Sequence, residues 1–111
     1  MIARIWRGTV GTPDVDAYYD YLQETGLKEY ARTPGNRGVY ALRRLAEDRC
    51  EFLLLTLWDS WEAILAFAGP DCERAVYYPE DDMFLVDRGP QVAHYELLSG
   101  TPWPSVSGLG L

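Results

Sequence analysis

The stretch from Ile2 to Val10 carries β-branched and aromatic residues on both parities, which predicts a central strand. Gly11-Thr12-Pro13 breaks it. Thr12 suits a helix cap with Pro13 at the first helical position, and Asp14 and Asp16 fall where a helix N-terminus is positive. Val15, Tyr18, Tyr19, Leu22 and Gly26 then recur at helical spacing, and Leu27, Tyr30 and Ala31 extend the stripe. Gly26 is a soft point at which this helix is expected to kink. Thr33-Pro34-Gly35-Asn36 ends it.

Val39 to Leu45 reads as a second strand and Cys50 to Trp58 as a third, close enough in sequence to form a hairpin through the polar turn Glu47-Asp48-Arg49. Asp59-Ser60 is an N-cap signal. Trp61, Ile64, Leu65 and Phe67-Ala68 supply the apolar stripe of a short helix, stopped by Gly69-Pro70. Asp71 is positioned to cap another helical turn from Cys72 to Tyr78, ended by Pro79. Glu80 to Pro90 reads as a loop and Gln91 to Leu98 as the last strand. The order β-α-β-β-α-(α)-β is the split βαβ pattern, so the expected architecture is a ferredoxin-like α+β domain over residues 1–98, with a four-stranded antiparallel sheet covered by helices on one face. The tail 99–111, with three Gly, two Pro and three Ser, lacks periodicity and is expected to be flexible.

A sheet covered on one side leaves one parity of each strand open. The expected open set is Ile2, Arg4 and Trp6 with Glu51, Leu53, Leu55 and Leu57. Leucines and a tryptophan facing water mark an interface, so a homodimer formed through this face is expected.

Composition narrows the function. At 111 residues there is room for one core, while 48% hydrophobic and 14% aromatic content exceeds what one small core needs and leaves material for a pocket or an interface. The net charge of −7 argues against nucleic acid and against an anionic membrane surface as partners. The opening MIARIW lacks the order of a signal peptide, and Phe52 to Trp58 is too short to span a bilayer. Cys50 and Cys72 do not make a disulfide framework and have no metal-ligand spacing. These bounds point to a cytoplasmic protein with reduced cysteines and no metal.

The run Leu55-Thr56-Leu57-Trp58-Asp59-Ser60-Trp61-Glu62-Ala63-Ile64, with Phe67-Ala68-Gly69, Ala75-Val76-Tyr77-Tyr78-Pro79, Val92-Ala93-His94-Tyr95-Glu96 and the opening Met1 to Trp6, resembles the antibiotic-biosynthesis monooxygenase family of dimeric α/β-barrel proteins. The resemblance covers about residues 1–98. It implies a homodimer whose two sheets form a barrel, with a pocket in each subunit between sheet and helices. It also implies one of two chemistries. In the first, a cofactor-free oxygenase converts a polycyclic phenol to a quinone, the deprotonated substrate itself reducing oxygen. In the second, heme is degraded. The Trp closing the third strand in both kinds matches Trp58. The substrate-holding Asn four residues earlier is Leu54 here. The heme degraders also need an Asn near Arg7 and an iron-ligating His where this chain reads Arg74-Ala75-Val76-Tyr77, so heme degradation by that route is not expected.

The candidate catalytic residues are therefore His94, Arg7 and Trp58. Trp58, on the parity of Phe52, Leu54 and Thr56, is either a flat wall for a planar substrate or core filling. His94, the only histidine, is either a base able to deprotonate a phenol or a half-buried side chain bonded to a neighbour such as Glu96. Arg7 shares its parity with Ile5 and Thr9, which the resemblance places at the pocket; there it would stabilise an oxyanion, or simply pair with an acid. Thr56, Leu54, Trp61, Phe67, Tyr77 and Tyr78 are the candidate substrate-binding residues. The expected function is a cofactor-independent monooxygenase-like enzyme acting on an aromatic or polyketide-type molecule. The alternatives are a non-oxidative cyclase or isomerase on the same scaffold, or a non-catalytic dimer that binds a hydrophobic ligand.

Overall fold

The computed structural model describes residues 1–71, 84–88 and 92–100. Strand β1 (Ile2–Gly11) is followed by a single 3-10 turn at Thr12–Asp14, then helices α1 (Val15–Glu24) and α2 (Gly26–Arg32). Strands β2 (Asn36–Ala46) and β3 (Arg49–Trp58) form the hairpin, α3 (Trp61–Ala68) follows, and β4 (Leu85–Arg88) and β5 (Ala93–Glu96) close the order. The ferredoxin-like α+β expectation holds. All pairings are antiparallel, in the order β2-β3-β1-β4, with β5 also on β1.

The fourth strand position is filled in two pieces. β4 pairs with Gly8 to Val10 and β5 with Ile2 to Ile5, along the same edge of β1. The expected loop from Glu80 to Pro90 therefore contains a strand, four residues long, between polar and turn-forming neighbours that hide it in the sequence. The expected last strand is trimmed to its centre. The helical turn expected from Cys72 to Tyr78 and the tail from residue 101 onward lie outside the described residues.

Local chemistry explains most boundaries. The helix expected from Val15 to Ala31 breaks at Thr25 (φ −115°, ψ −94°), beside the Gly26 soft point, and the Thr25 hydroxyl donates to Tyr21 O at 2.8 Å. The Thr12 cap does not form. Gly11 is the N-cap residue of the turn, and the Thr12 hydroxyl instead reaches Glu47 O at 3.5 Å, on the hairpin turn. Ser60 caps α3 as expected, its Oγ accepting from Ala63 N at 3.2 Å. Gly69 (φ 86°) ends α3, its N–H donating to Leu65 O at 2.8 Å.

Register decides which face each residue serves. Ile2 lies opposite Trp58, Arg4 opposite Thr56, Trp6 opposite Leu54 and Gly8 opposite Phe52. All eight are buried under the helices. The open face carries Ala3, Ile5, Arg7 and Thr9 with Leu57, Leu55, Leu53 and Glu51. The parity expected for β3 is thus correct and that for β1 is reversed: Ile2, Arg4 and Trp6 belong to the covered face, and Arg7 to the open one. Buried side chains from α1 (Val15, Tyr18, Leu22), α2 (Tyr30) and α3 (Ile64) complete the core with β1 and β3. Tyr18 meets Phe52 edge-on, ring centroids 5.1 Å apart. Gly8 is required by its neighbour: a Cβ there would sit 2.5 Å from Trp6 Cη2 and 2.9 Å from Leu85 Cδ2.

Candidate functional site

β3 ends in an alternation of buried Leu54, Thr56 and Trp58 with half-buried Leu53, Leu55 and Leu57. Because side chains alternate across a strand, the first three share the covered face. Trp58 is fully buried. Its indole Nε1 donates to Thr56 Oγ1 at 2.8 Å, and that hydroxyl donates to the backbone carbonyl of Arg4 at 3.3 Å. The polar edge of the Trp58 ring is thereby satisfied within the protein, and only its face is left for contact. That face meets Phe67 at 5.4 Å and Tyr30 at 6.3 Å, and Phe67 and Tyr30 meet each other at 4.9 Å. Trp58 packs in the core here, against the half-buried Phe67.

Beside this aromatic cluster lies a pair that register assembles from two strands. Arg4 faces His94 across the β1–β5 ladder. The Arg4 side chain is 1% exposed, and its Nη1 lies 3.2 Å from His94 Nε2. The guanidinium carbon stands 5.8 Å from the Phe67 ring centroid, within cation–π range. A guanidinium only donates, so this bond requires His94 Nε2 to accept. The imidazole is then neutral with its proton on Nδ1. The His94 ring packs against Trp61 at 5.1 Å, and Trp61, at the first position of α3, is 45% exposed. A line of contacts therefore runs from solvent at Trp61, through His94 and Arg4, to the aromatic cluster at Phe67 and Trp58.

The structure brings Trp58, Thr56, Leu54, Phe67, Trp61 and His94 onto the covered face or its margin. It does not bring Arg7 there: Arg7 is exposed on the open face, opposite Leu53. Tyr77 and Tyr78 lie outside the described residues. The cation at the site is Arg4, which sequence reasoning assigned to the other face. The signal that finds it is the cross-strand register, since the arginine opposite Thr56 must share the face of Trp58. The partner that the sequence suggested for His94 was Glu96; the bond formed is to Arg4. Among the described residues no group of three or more His, Cys, Asp or Glu could hold a metal ion, and Cys50 is a buried free thiol.

Outside the site, one exposed electrostatic contact fixes the frame. Arg37 and Asp59 form a two-pronged pair at 2.7 and 2.8 Å, joining the start of β2 to the N-terminus of α3. The Arg37 bond holds the Asp59 carboxyl below its usual range, and Asp59 in turn raises Arg37.

A half-covered antiparallel sheet in this strand order is a ferredoxin-like α+β fold, the fold of solved proteins named as antibiotic-biosynthesis monooxygenases. No protein-family model matches the sequence, and no curated protein does. Solved structures do. A Nitrosomonas europaea protein provisionally named an antibiotic biosynthesis monooxygenase aligns with TM-score 0.63 at 17% identity, covering 89% of this chain and 100% of that one. The heme-degrader MhuD of Mycobacterium tuberculosis, with two hemes bound in its active site, aligns with TM-score 0.63 at 15% identity over 92% of this chain and 100% of that one. A Bacillus cereus protein of the same provisional monooxygenase name aligns with TM-score 0.62 at 14% identity, covering 95% and 98%. At these identities what is shared is the fold. No described helix is long and apolar enough to cross a membrane.

Proposed function

We propose that this chain is a cofactor-independent monooxygenase-like enzyme for an aromatic or polyketide-type substrate, working on the covered face of its sheet. The observation that supports it most is the Arg4–His94 pair at 3.2 Å beside the Trp58–Phe67–Tyr30 rings. A planar phenol or anthrone would displace Phe67 and lie against the face of Trp58, its oxygen directed at the pair. His94 Nε2, neutral and released from Arg4, would take the acidic proton; Arg4 would hold the resulting enolate oxygen. The electron-rich carbanion then reduces oxygen itself: an anthrone CH₂ and O₂ become a quinone carbonyl and water, so atoms and electrons balance without a further reductant. Leu54 gives apolar contact where the resembled oxygenases use Asn.

Heme does not fit this arrangement. Positions 74–77, where the resembled heme degraders carry an iron-ligating histidine, read Arg-Ala-Val-Tyr.

The open face supports the homodimer. Tyr40, Leu42 and Tyr95 are 53%, 51% and 57% exposed, around half-buried Leu53, Leu55 and Leu57. A second copy seated there would bury an apolar surface of a size seldom left in water.

Oxygen uptake with a panel of anthrones and naphthols tests the enzyme reading, comparing the wild type with Trp58→Phe and His94→Ala. Turnover that falls in both variants is expected. Rates no higher than buffer for every substrate would sink it, and product formed equally well without oxygen would transfer the site to a cyclase or isomerase.

A further inference from the structure

The covered face continues past the aromatic cluster to Phe52, and there a concavity opens. A cleft of about 330 Å³ lies between α1 and the β2–β3 hairpin, within the rough 300–1,000 Å³ range of small-molecule sites. Among the described residues it is lined by Asp16 and Tyr19 of α1, Ala41, Leu42 and Arg43 of β2, and Phe52 of β3. Phe52 and Trp58 are six residues apart on one strand, about 20 Å at roughly 3.3 Å per residue, so this cleft lies at the other end of the covered face from Trp58, with Ala41 opposite Leu54 between them.

Its chemistry is divided. The floor is apolar, with Phe52 only 1% exposed, and Tyr19, 39% exposed, supplies an aromatic wall. The rim carries one charge of each sign. Arg43 Nη1 and Asp16 Oδ1 are 3.5 Å apart, with side-chain exposures of 48% and 98%. That separation exceeds the 2.7–2.9 Å or so of a tight charged hydrogen bond, and a pair so solvated is displaced at little cost. A plain anion approaching Arg43 would meet Asp16 and a chain of net charge −7. A plain amine approaching Asp16 would meet Arg43. A zwitterion meets neither penalty: its carboxylate takes Arg43, its ammonium takes Asp16, and its side chain remains for the floor.

We propose that this cleft binds a small apolar α-amino acid, its aromatic or large aliphatic side chain against Ala41 and Tyr19, above the buried Phe52, and its charged end bridging Arg43 and Asp16. The ligand inserts between the two rim residues and replaces one loose ion pair by two.

The test is titration of the full chain with L-phenylalanine, followed by backbone amide shifts, with phenethylamine and 3-phenylpropionate as single-charge controls. Saturable shifts at Tyr19, Arg43 and Phe52 are expected. Each control should bind at least about fivefold more weakly, and Arg43→Gln and Asp16→Asn should each weaken L-phenylalanine by a similar factor. Both rim side chains face solvent, so the variants keep the fold, which circular dichroism verifies. Trp58→Phe should leave the affinity unchanged, which separates this site from the oxygenase reading. The proposal is overturned by no saturable shift at those amides up to about 20 mM, by 3-phenylpropionate binding as tightly as the amino acid, or by rim variants of unaltered affinity.

Discussion

On one face of the sheet, Phe52, Leu54, Thr56 and Trp58 are at most 3% exposed; on the other, Tyr40, Leu42 and Tyr95 exceed 50%. Strand β3 supplies both faces, with half-buried Leu53, Leu55 and Leu57 on the second, so propensity does not distinguish them. What differs is the cover. The covered face has three helices, and its aromatic rings close on one another at 4.9 to 6.3 Å. It also encloses polar groups, Arg4 and Thr56, each held by a named bond. The open face carries leucines beside Tyr40 and Tyr95, and among the described residues of one chain no helix covers it. The open face keeps its charges, Arg7 and the Arg44–Glu51 pair at 3.5 Å, toward solvent, whereas the covered face encloses Arg4 beside its rings.

Substitutions should separate the two faces by size. The largest effect belongs to the covered face: Trp58→Ala removes a fully buried ring and leaves a cavity, and should cost about 3–5 kcal/mol by urea unfolding. A loss below about 1 kcal/mol would mean that the ring is not packed as described. Gly8→Ala comes next. The new Cβ, 2.5 Å from Trp6 Cη2, forces the indole aside, at about 1–3 kcal/mol and with altered tryptophan fluorescence. On the open face, Leu55→Asp should change assembly and not fold. Sedimentation velocity is expected to show a dimer for the wild type and a monomer with native circular dichroism for the variant; a monomeric wild type would remove the interface.

The smallest effect lies outside both faces. Arg37 lowers the Asp59 pKa from its ordinary 3.8. A carboxylate depressed in the folded state stabilises the fold above its unfolded pKa, and this contribution is lost as pH falls through the folded value. The melting temperature of Asp59→Asn should therefore lie slightly below the wild type at about pH 6, with the gap closing as pH falls below the ordinary carboxylate value of 3.8. A gap that is constant across that range would show that the pair contributes nothing through its charge.

Much of this contrast was legible in the residues. The leucine parity of β3 named the open face correctly, because Leu53, Leu55 and Leu57 alternate with Phe52, Leu54, Thr56 and Trp58. Ser60 announced α3, and Gly26 the helix break. β1 was ambiguous for a physical reason. Each parity carries an isoleucine and an arginine, Ile2 with Arg4 and Ile5 with Arg7, and a strand inside a sheet needs apolar residues on both sides. Only pairing resolves it: Ile2 sits opposite Trp58. That long-range contact turned Arg4 inward and Arg7 outward, and it moved the site's cation from the seventh residue to the fourth. β4 was hidden because four residues on a sheet edge take their strand character from β1, not from their own pattern.

The central claim is that chemistry belongs to the Arg4–His94 pair on the covered face. It is tested most directly by oxygen uptake on the best anthrone or naphthol substrate, measured side by side for Arg4→Gln and Arg7→Gln. Arg4→Gln is expected to lose at least about tenfold in kcat/KM while Arg7→Gln keeps the wild-type rate. A full rate in Arg4→Gln, with the loss in Arg7→Gln instead, would contradict it.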